Sequence, residues 1–138
     1  MKVKELMSKN IKNILIAGAG GFIGGHLVKR LLDDGFSVVG ADIKPLEFWF
    51  QKFDKAKNFS MDLNDYDNCI KVTKGVDAIF NLACNMGGMG FIENNKAECM
   101  LSVLINTNLL RATKINNVSK ILYSSSACIY NTDLQRET

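Results

Sequence analysis

Residues 13–24, NILIAGAGGFIG, are the stretch that decides the fold. The first five residues, NILIA, form a short apolar run, which predicts a strand buried on both faces, as in parallel sheets. Four glycines follow it: Gly18, Gly20, Gly21 and Gly24. A glycine-rich β-α turn of this kind can hold a dinucleotide pyrophosphate on the N-terminus of the next helix. The motif alone is weak evidence, because a turn that binds nothing has the same composition.

Predicted helices and strands alternate along the rest of the chain. Apolar residues recur at helical spacing after the glycines as far as Gly35, where a helix would end. Further strands are predicted at residues 36–41, 58–61, 76–83 and 120–124. Helices are predicted from the cap Asn64 to Gly75 and over residues 93–116. Residues 46–57 are either a short helix or a packed surface loop. The alternation predicts an α/β fold, a doubly wound parallel sheet (Rossmann fold) of about five strands.

An acidic residue follows the second predicted strand. Asp42 stands 18 residues beyond Gly24, where a carboxylate can accept both hydroxyls of an adenosine ribose and repel a 2′-phosphate. The acid favours NAD over NADP, and strand, turn, helix, strand and acid together favour a dinucleotide site over a turn that binds nothing. His26, the only histidine, lies just inside the first predicted helix, and we expect it to be a packing or surface residue.

The bulk properties limit the possible partners. The net charge of +3 is spread along 138 residues, so neither nucleic acid nor a membrane is expected as a partner. No stretch reaches the ~18 apolar residues of a membrane span, and the N-terminus lacks the apolar region of a signal peptide. The cysteines show neither metal-ligand nor disulfide spacing: Cys69, Cys84, Cys99 and Cys128. We therefore expect a cytoplasmic protein without a metal site.

Four segments resemble a known family. GAGGFIGGHL, residues 18–27, resembles the opening of the extended short-chain dehydrogenases/reductases, the NAD-dependent epimerase/dehydratase family, and Asp62-Leu63 resembles its adenine-contacting pair. Residues 80–92, FNLACNMGGMGFI, and 123–130, YSSSACIY, are similar to the GDP-mannose 3,5-epimerases in particular. Other members usually carry a histidine after the Leu-Ala pair and Thr or Ala at the position of Cys128.

The resemblance implies a set of site residues. The cofactor's pyrophosphate would be bound by Gly18, Gly21 and Gly24, with Gly20, Phe22 and Ile23 of the same turn also in the cofactor site. Asp42 would bind the ribose, Asp62 and Leu63 the adenine, and Leu82 and Ala83 would border the cofactor. The sugar would be lined by Gly87, Gly88 and Met89. Ser126 would be the active-site serine at the C4 oxygen, and Cys128 the thiol of an acid/base pair. Without the resemblance, Cys128 would be interpreted as a small buried residue at a strand end.

The resemblance also implies a reaction. In that family NAD oxidises the hexose at C4, the ketone acidifies the C3 and C5 protons, and re-reduction follows epimerisation. The partner would be a nucleotide sugar, GDP-mannose, and the full-length enzyme a homodimer. Another nucleotide-sugar epimerase or dehydratase, or a non-catalytic NAD-binding module, remains the alternative.

One part of the family pattern is not found. The Tyr-x-x-x-Lys pair lies beyond the serine strand in the family, whereas Tyr130 is followed by Leu134 where the lysine would stand. We therefore expect residues 1–12 to be an extension and residues 13–138 an incomplete NAD-binding domain, truncated before the C-terminal substrate domain. We expect such an N-terminal fragment to be inactive alone, marginally stable and self-associating.

Overall fold

The computed structural model describes residues 11–85 and 88–125, except for the side chain of Met89. These residues form a five-stranded sheet with helices on both faces. The strands are β1 Asn13–Ala17, β2 Ser37–Asp42, β3 Lys57–Ser60, β4 Ala78–Asn81 and β5 Lys120–Tyr123. The helices are α1 Phe22–Asp33, α2 Tyr66–Thr73, α3 Met89–Asn94 and α4 Lys96–Asn116, with a short 3-10 helix at Leu46–Phe48.

The sheet has the order β3-β2-β1-β4-β5, and every neighbouring pair is parallel. In the central strand β1, Ile16 pairs with Gly40 on one side and with Phe80 on the other. The chain builds outward from β1 first to one side and then to the other. This confirms the predicted doubly wound Rossmann fold and opens a crevice at the carboxyl ends of β1 and β4, where such folds bind ligands.

The side chains of β1 alternate between two hydrophobic clusters, which explains why the whole strand is apolar. Ile14 and Ile16 pack on the α1 side, whereas Leu15 and Ala17 pack on the side of α2 and α4, and all four are 0% exposed. Ile11, just before the strand, joins the α1 side. At about 25 cal/mol per Å² of buried apolar area, this doubly covered strand is a main source of stability.

Several predicted boundaries are wrong, each for a local reason. The helix predicted over residues 93–116 is two helices, because the chain leaves helical geometry at Asn95 (φ −128°, ψ 45°) and its side chain donates to the Phe91 carbonyl. The cap of α2 is Asp65, not Asn64, since the Asp65 carboxylate accepts the Asp67 amide at 2.8 Å. Residues 46–57 contain one 3-10 turn and are otherwise loop, apart from Lys57, which opens β3.

Apolar side chains also remain on the surface of α4 and β5. They are Met100, Val103, Leu104, Leu110, Ile115, Leu122 and Tyr123. Within the described part of the chain, no helix combines the length and the apolar character that crossing a membrane requires.

Candidate dinucleotide-binding site

The glycine turn after β1 requires glycine at its first position. Gly18 has φ +85°, and a Cβ built on it would lie 2.8 Å from the carbonyl carbon of Leu82 and 2.9 Å from the amide nitrogen of Ala83. Leu82 in turn donates its amide to the Ala17 carbonyl at 2.9 Å. The structure therefore brings the predicted border residues Leu82 and Ala83 against the start of the turn.

The turn leads directly into α1, whose first amides are available to an anion. Gly21 is the N-cap and provides no side-chain cap, and the first turn carries no acidic residue. By their positions, the amides of Phe22, Ile23 and Gly24 have no acceptor within the helix. Uncapped amides and the positive end of the helix dipole are what a pyrophosphate requires. These residues fit a dinucleotide.

Asp42 is held beside this turn by two backbone amides. Its Oδ2 accepts the Gly20 amide and its Oδ1 accepts the Lys44 amide, both at 3.0 Å. Only 9% of Asp42 is exposed. Because a carboxylate has about four acceptor positions, both oxygens retain capacity for the two hydroxyls of a ribose. The ribose role of Asp42 stays a prediction.

The predicted adenine contacts lie at the end of β3, next to Asp42. The amide of Met61 donates to the Asp42 carbonyl at 2.8 Å, which joins the two strand ends. One carboxylate oxygen of Asp62, Oδ1, accepts from both the backbone and the side chain of Asn64, at 2.8 and 2.9 Å. Leu63 is 3% exposed and belongs to the core, so its side chain contributes packing, and only its backbone could contact a base.

A buried amide at the end of β4 fixes the chain on the other side of the crevice. Asn81 is 1% exposed, its Oδ1 accepts the Ala83 amide at 3.2 Å, and its Nδ2 donates to Asn106 of α4 at 3.3 Å. The Ser124 amide, just after β5, donates to the Asn81 carbonyl at 3.3 Å. Asn81 thus links β4, β5 and α4. Sequence reasoning missed this role.

The predicted sugar and catalytic residues are only partly described. Gly88 is the exposed N-cap of α3, and Met89 begins that helix. Gly87, Ser126 and Cys128 lie outside the described residues, so their roles stay predictions. Cys69 is buried and donates to the Leu63 carbonyl, and burial, with smaller contributions from Asp65 and Asp62, raises the pKa of its thiol to about 12. Cys69 is therefore a packing residue.

Sequence reasoning also missed the place of the aromatic segment after Pro45 in this site. The Trp49 indole lies against Gly20, whose added Cβ would meet Trp49 Cδ1 at 2.8 Å, and the Phe50 amide donates to the Gly20 carbonyl at 3.0 Å. Phe50 also packs edge-on against Phe22 of α1 at 4.8 Å between ring centroids. The sequence shows the aromatic run, but it does not show that this run packs against the glycine turn.

Known proteins are similar in sequence to this chain. The profile of the NAD dependent epimerase/dehydratase family matches residues 14–138. GDP-mannose 3,5-epimerase 1 of Oryza sativa subsp. japonica is 45% identical over 126 residues, 91% of this chain and 33% of that protein. GDP-mannose 3,5-epimerase of Arabidopsis thaliana is 43% identical over 132 residues, 95% of this chain and 35% of that protein.

A solved structure with a bound cofactor is also similar. MoeE5 in complex with UDP-glucose and NAD superposes with a TM-score of 0.73 at 28% identity, covering 86% of this chain and 38% of that one. The chain spans about a third of the length of the two plant relatives.

Proposed function

We propose that this chain, which belongs to the NAD-dependent epimerase/dehydratase family, is the NAD-binding part of a nucleotide-sugar epimerase of the GDP-mannose 3,5-epimerase kind. One observation carries the proposal: the uncapped first turn of α1 and the amide-held carboxylate of Asp42 lie on either side of Gly20. The identities of 45% and 43% with two plant GDP-mannose 3,5-epimerases support the substrate.

The residues of the turn divide the binding between them. The amides of Phe22, Ile23 and Gly24 would hold the pyrophosphate, while Asp42 accepts from the adenosine ribose. A 2′-phosphate at that ribose would place negative charge against the Asp42 carboxylate, which disfavours NADP. When bound, the cofactor supplies reversible hydride transfer at C4 of the hexose. Asp62 and the Leu63 backbone would border the adenine.

The sugar side of the proposal depends on the chain after β4 and β5. Gly87, Gly88 and Met89 would line the hexose, and Ser126 would donate a hydrogen bond to its C4 oxygen. Cys128 would move a proton at C3 or C5, because a thiol whose ordinary pKa is about 8.5 needs only a nearby cation to exchange protons near neutral pH. We further propose that the full-length enzyme is a homodimer.

Cofactor binding by the purified 138-residue chain tests the proposal. We expect calorimetry to show that the chain binds NAD and binds NADP at least about tenfold more weakly. Asp42→Ala should weaken NAD binding by about tenfold or more, since hydrogen bonds to a charged acceptor contribute about 1.5–3 kcal/mol. Asp33→Ala is the matched control, because its carboxylate is exposed at the far end of α1, where it pairs with Lys29.

Two outcomes would contradict cofactor binding at this site. One is the absence of NAD uptake by folded chain, and the other is unchanged uptake by Asp42→Ala. We also expect that product chromatography will detect no turnover of GDP-mannose by this chain. The residues four positions after its three tyrosines are Ile70, Ala127 and Leu134, and none is lysine.

A further inference from the structure

Four hydrogen bonds form a closed ring around the Asp42 carboxylate. Asp42 accepts the Gly20 and Lys44 amides at 3.0 Å each. The Trp49 indole Nε1 donates to the Lys44 carbonyl at 2.9 Å. The next residue, Phe50, donates its amide to the Gly20 carbonyl at 3.0 Å. The ring thus runs from Asp42 through Lys44, the Trp49-Phe50 pair and Gly20 back to Asp42, and the Trp49 side chain closes it.

The Trp49 indole also fills the space beside the carboxylate. A Cβ placed on Gly20 would lie 2.8 Å from Trp49 Cδ1 and 3.0 Å from the Asp42 carboxyl carbon, so indole and carboxylate flank the same point of the turn. A Cβ on Gly40 of β2 would lie 3.2 Å from the Trp49 ring. Trp49 is 8% exposed and belongs to the core on the α1 side. The apolar face of the indole is therefore packed in the core, and its Nε1 is bonded to the carbonyl of Lys44, whose amide donates to Asp42.

We propose that Trp49 is a positioning residue for the ribose of the cofactor: its indole holds the Lys44 backbone and the Gly20 turn so that Asp42 faces the ribose hydroxyls. The inference rests on the proposed function, because it concerns the same cofactor. Trp49 is thereby added to the residues of the cofactor site, although its segment has no glycine motif and does not directly follow a strand end. Its effect on binding acts through Asp42, and that dependence can be measured.

A double-mutant cycle on NAD binding separates positioning from packing. Trp49→Phe keeps an aromatic ring in the core and removes the Nε1 bond to Lys44, and we expect it to weaken NAD binding about fivefold, the size of one neutral hydrogen bond. In the Asp42→Ala background, the same change should alter the dissociation constant by less than about twofold, because the carboxylate it positions is gone.

Phe53→Leu is the matched control for aromatic packing. Phe53 packs on the same core cluster as Trp49, and its carbonyl accepts from Asn58 rather than from the glycine turn. We expect Phe53→Leu to lower the midpoint of thermal unfolding while it leaves the NAD dissociation constant within about twofold. Thermal unfolding of every variant verifies that binding is measured on folded chain.

Trp49 also supplies a spectroscopic readout, because it is the only tryptophan in the chain. We expect NAD to change its fluorescence emission with the same midpoint as the heat signal. Failure of the wild-type chain to bind NAD would overturn the proposed function. Three outcomes would overturn the positioning role alone. They are normal NAD binding with unchanged Trp49 emission, no effect of Trp49→Phe on NAD binding, and an equal loss of NAD affinity in the wild-type and Asp42→Ala backgrounds.

Discussion

Gly21 and Gly24 stand three residues apart in the same turn, but only one of them has room for a side chain. A Cβ on Gly24 would lie 2.1 Å from the Gly18 carbonyl oxygen, whereas a Cβ on Gly21 would lie 3.4 Å from the same atom. The first distance is far inside van der Waals contact, and its partner is backbone that cannot rotate away. Gly24 therefore sets how closely α1 packs on the turn, and Gly21 does not.

We expect Gly24→Ala to lower the free energy of unfolding by about 3 kcal/mol, because the overpacking exceeds the roughly 1 kcal/mol by which alanine is the better helix former. Gly21→Ala should cost less than about 1 kcal/mol. Denaturant unfolding of both variants provides the measurement. Equal stabilities would show that the close approach of α1 to Gly18 does not constrain the turn.

At the residue scale, the sequence predicts positions better than it predicts partners. The glycines and Asp42 follow from spacing, because the motif is local in the chain. The Asp42 bonds to Gly20 and Lys44, the core position of the Leu63 side chain and the contact of Trp49 with Gly20 all depend on how separate segments pack. No periodicity in residues 46–57 encodes that packing, so the sequence does not distinguish a helix from a loop there.

The start of α2 shows how one side chain decides an element boundary. Asp65 accepts the Asp67 amide, while the predicted cap Asn64 donates its own amide groups to Asp62. Asn64 and Asp65 are adjacent and could both cap the helix, and the sequence does not show which of the two does so. At Asn95 an Asx side chain again bonds nearby backbone, because its Nδ2 donates to the Phe91 carbonyl, which also accepts the Asn95 amide, both at 2.9 Å.

We expect Asp65→Ala to destabilise the fold by about 1 kcal/mol, the usual cost of removing an N-cap. Asp65→Ser retains a capping oxygen and should recover most of that loss. Urea unfolding of the two variants against wild type measures both effects. Recovery is the critical observation: if serine and alanine destabilise equally, the cap contributes nothing, and the charge of Asp65 accounts for the difference.

At the scale of the whole molecule, the two ends of the parallel strands differ in what they contribute to the protein. The carboxyl edge carries the turn, Asp42 and the chain after β4, whereas the amino edge is held by Asp77. The Asp77 carboxylate accepts the Lys12 and Asn13 amides at 2.8 Å each, and its carbonyl accepts the Ser119 and Lys120 amides. One residue before β4 thus joins the beginnings of β1 and β5. This explains how short strands of four or five residues keep their register.

The Asp77 bonds make the stability of the molecule depend on pH. The Asn13 and Lys12 amides lower the pKa of Asp77 below its ordinary value of 3.8, because they bind the charged form. A carboxyl whose folded pKa is lowered contributes stability that is present above the unfolded pKa and lost as pH falls through the folded one. We therefore expect Asp77→Asn to destabilise the chain at pH 7, and its difference from wild type in denaturant unfolding to shrink below pH 3.8. Asp54→Asn, the same charge change in an exposed loop, is the control. A difference between Asp77→Asn and wild type that stays constant from pH 7 into acid would mean that the carboxylate charge does not hold this edge of the sheet.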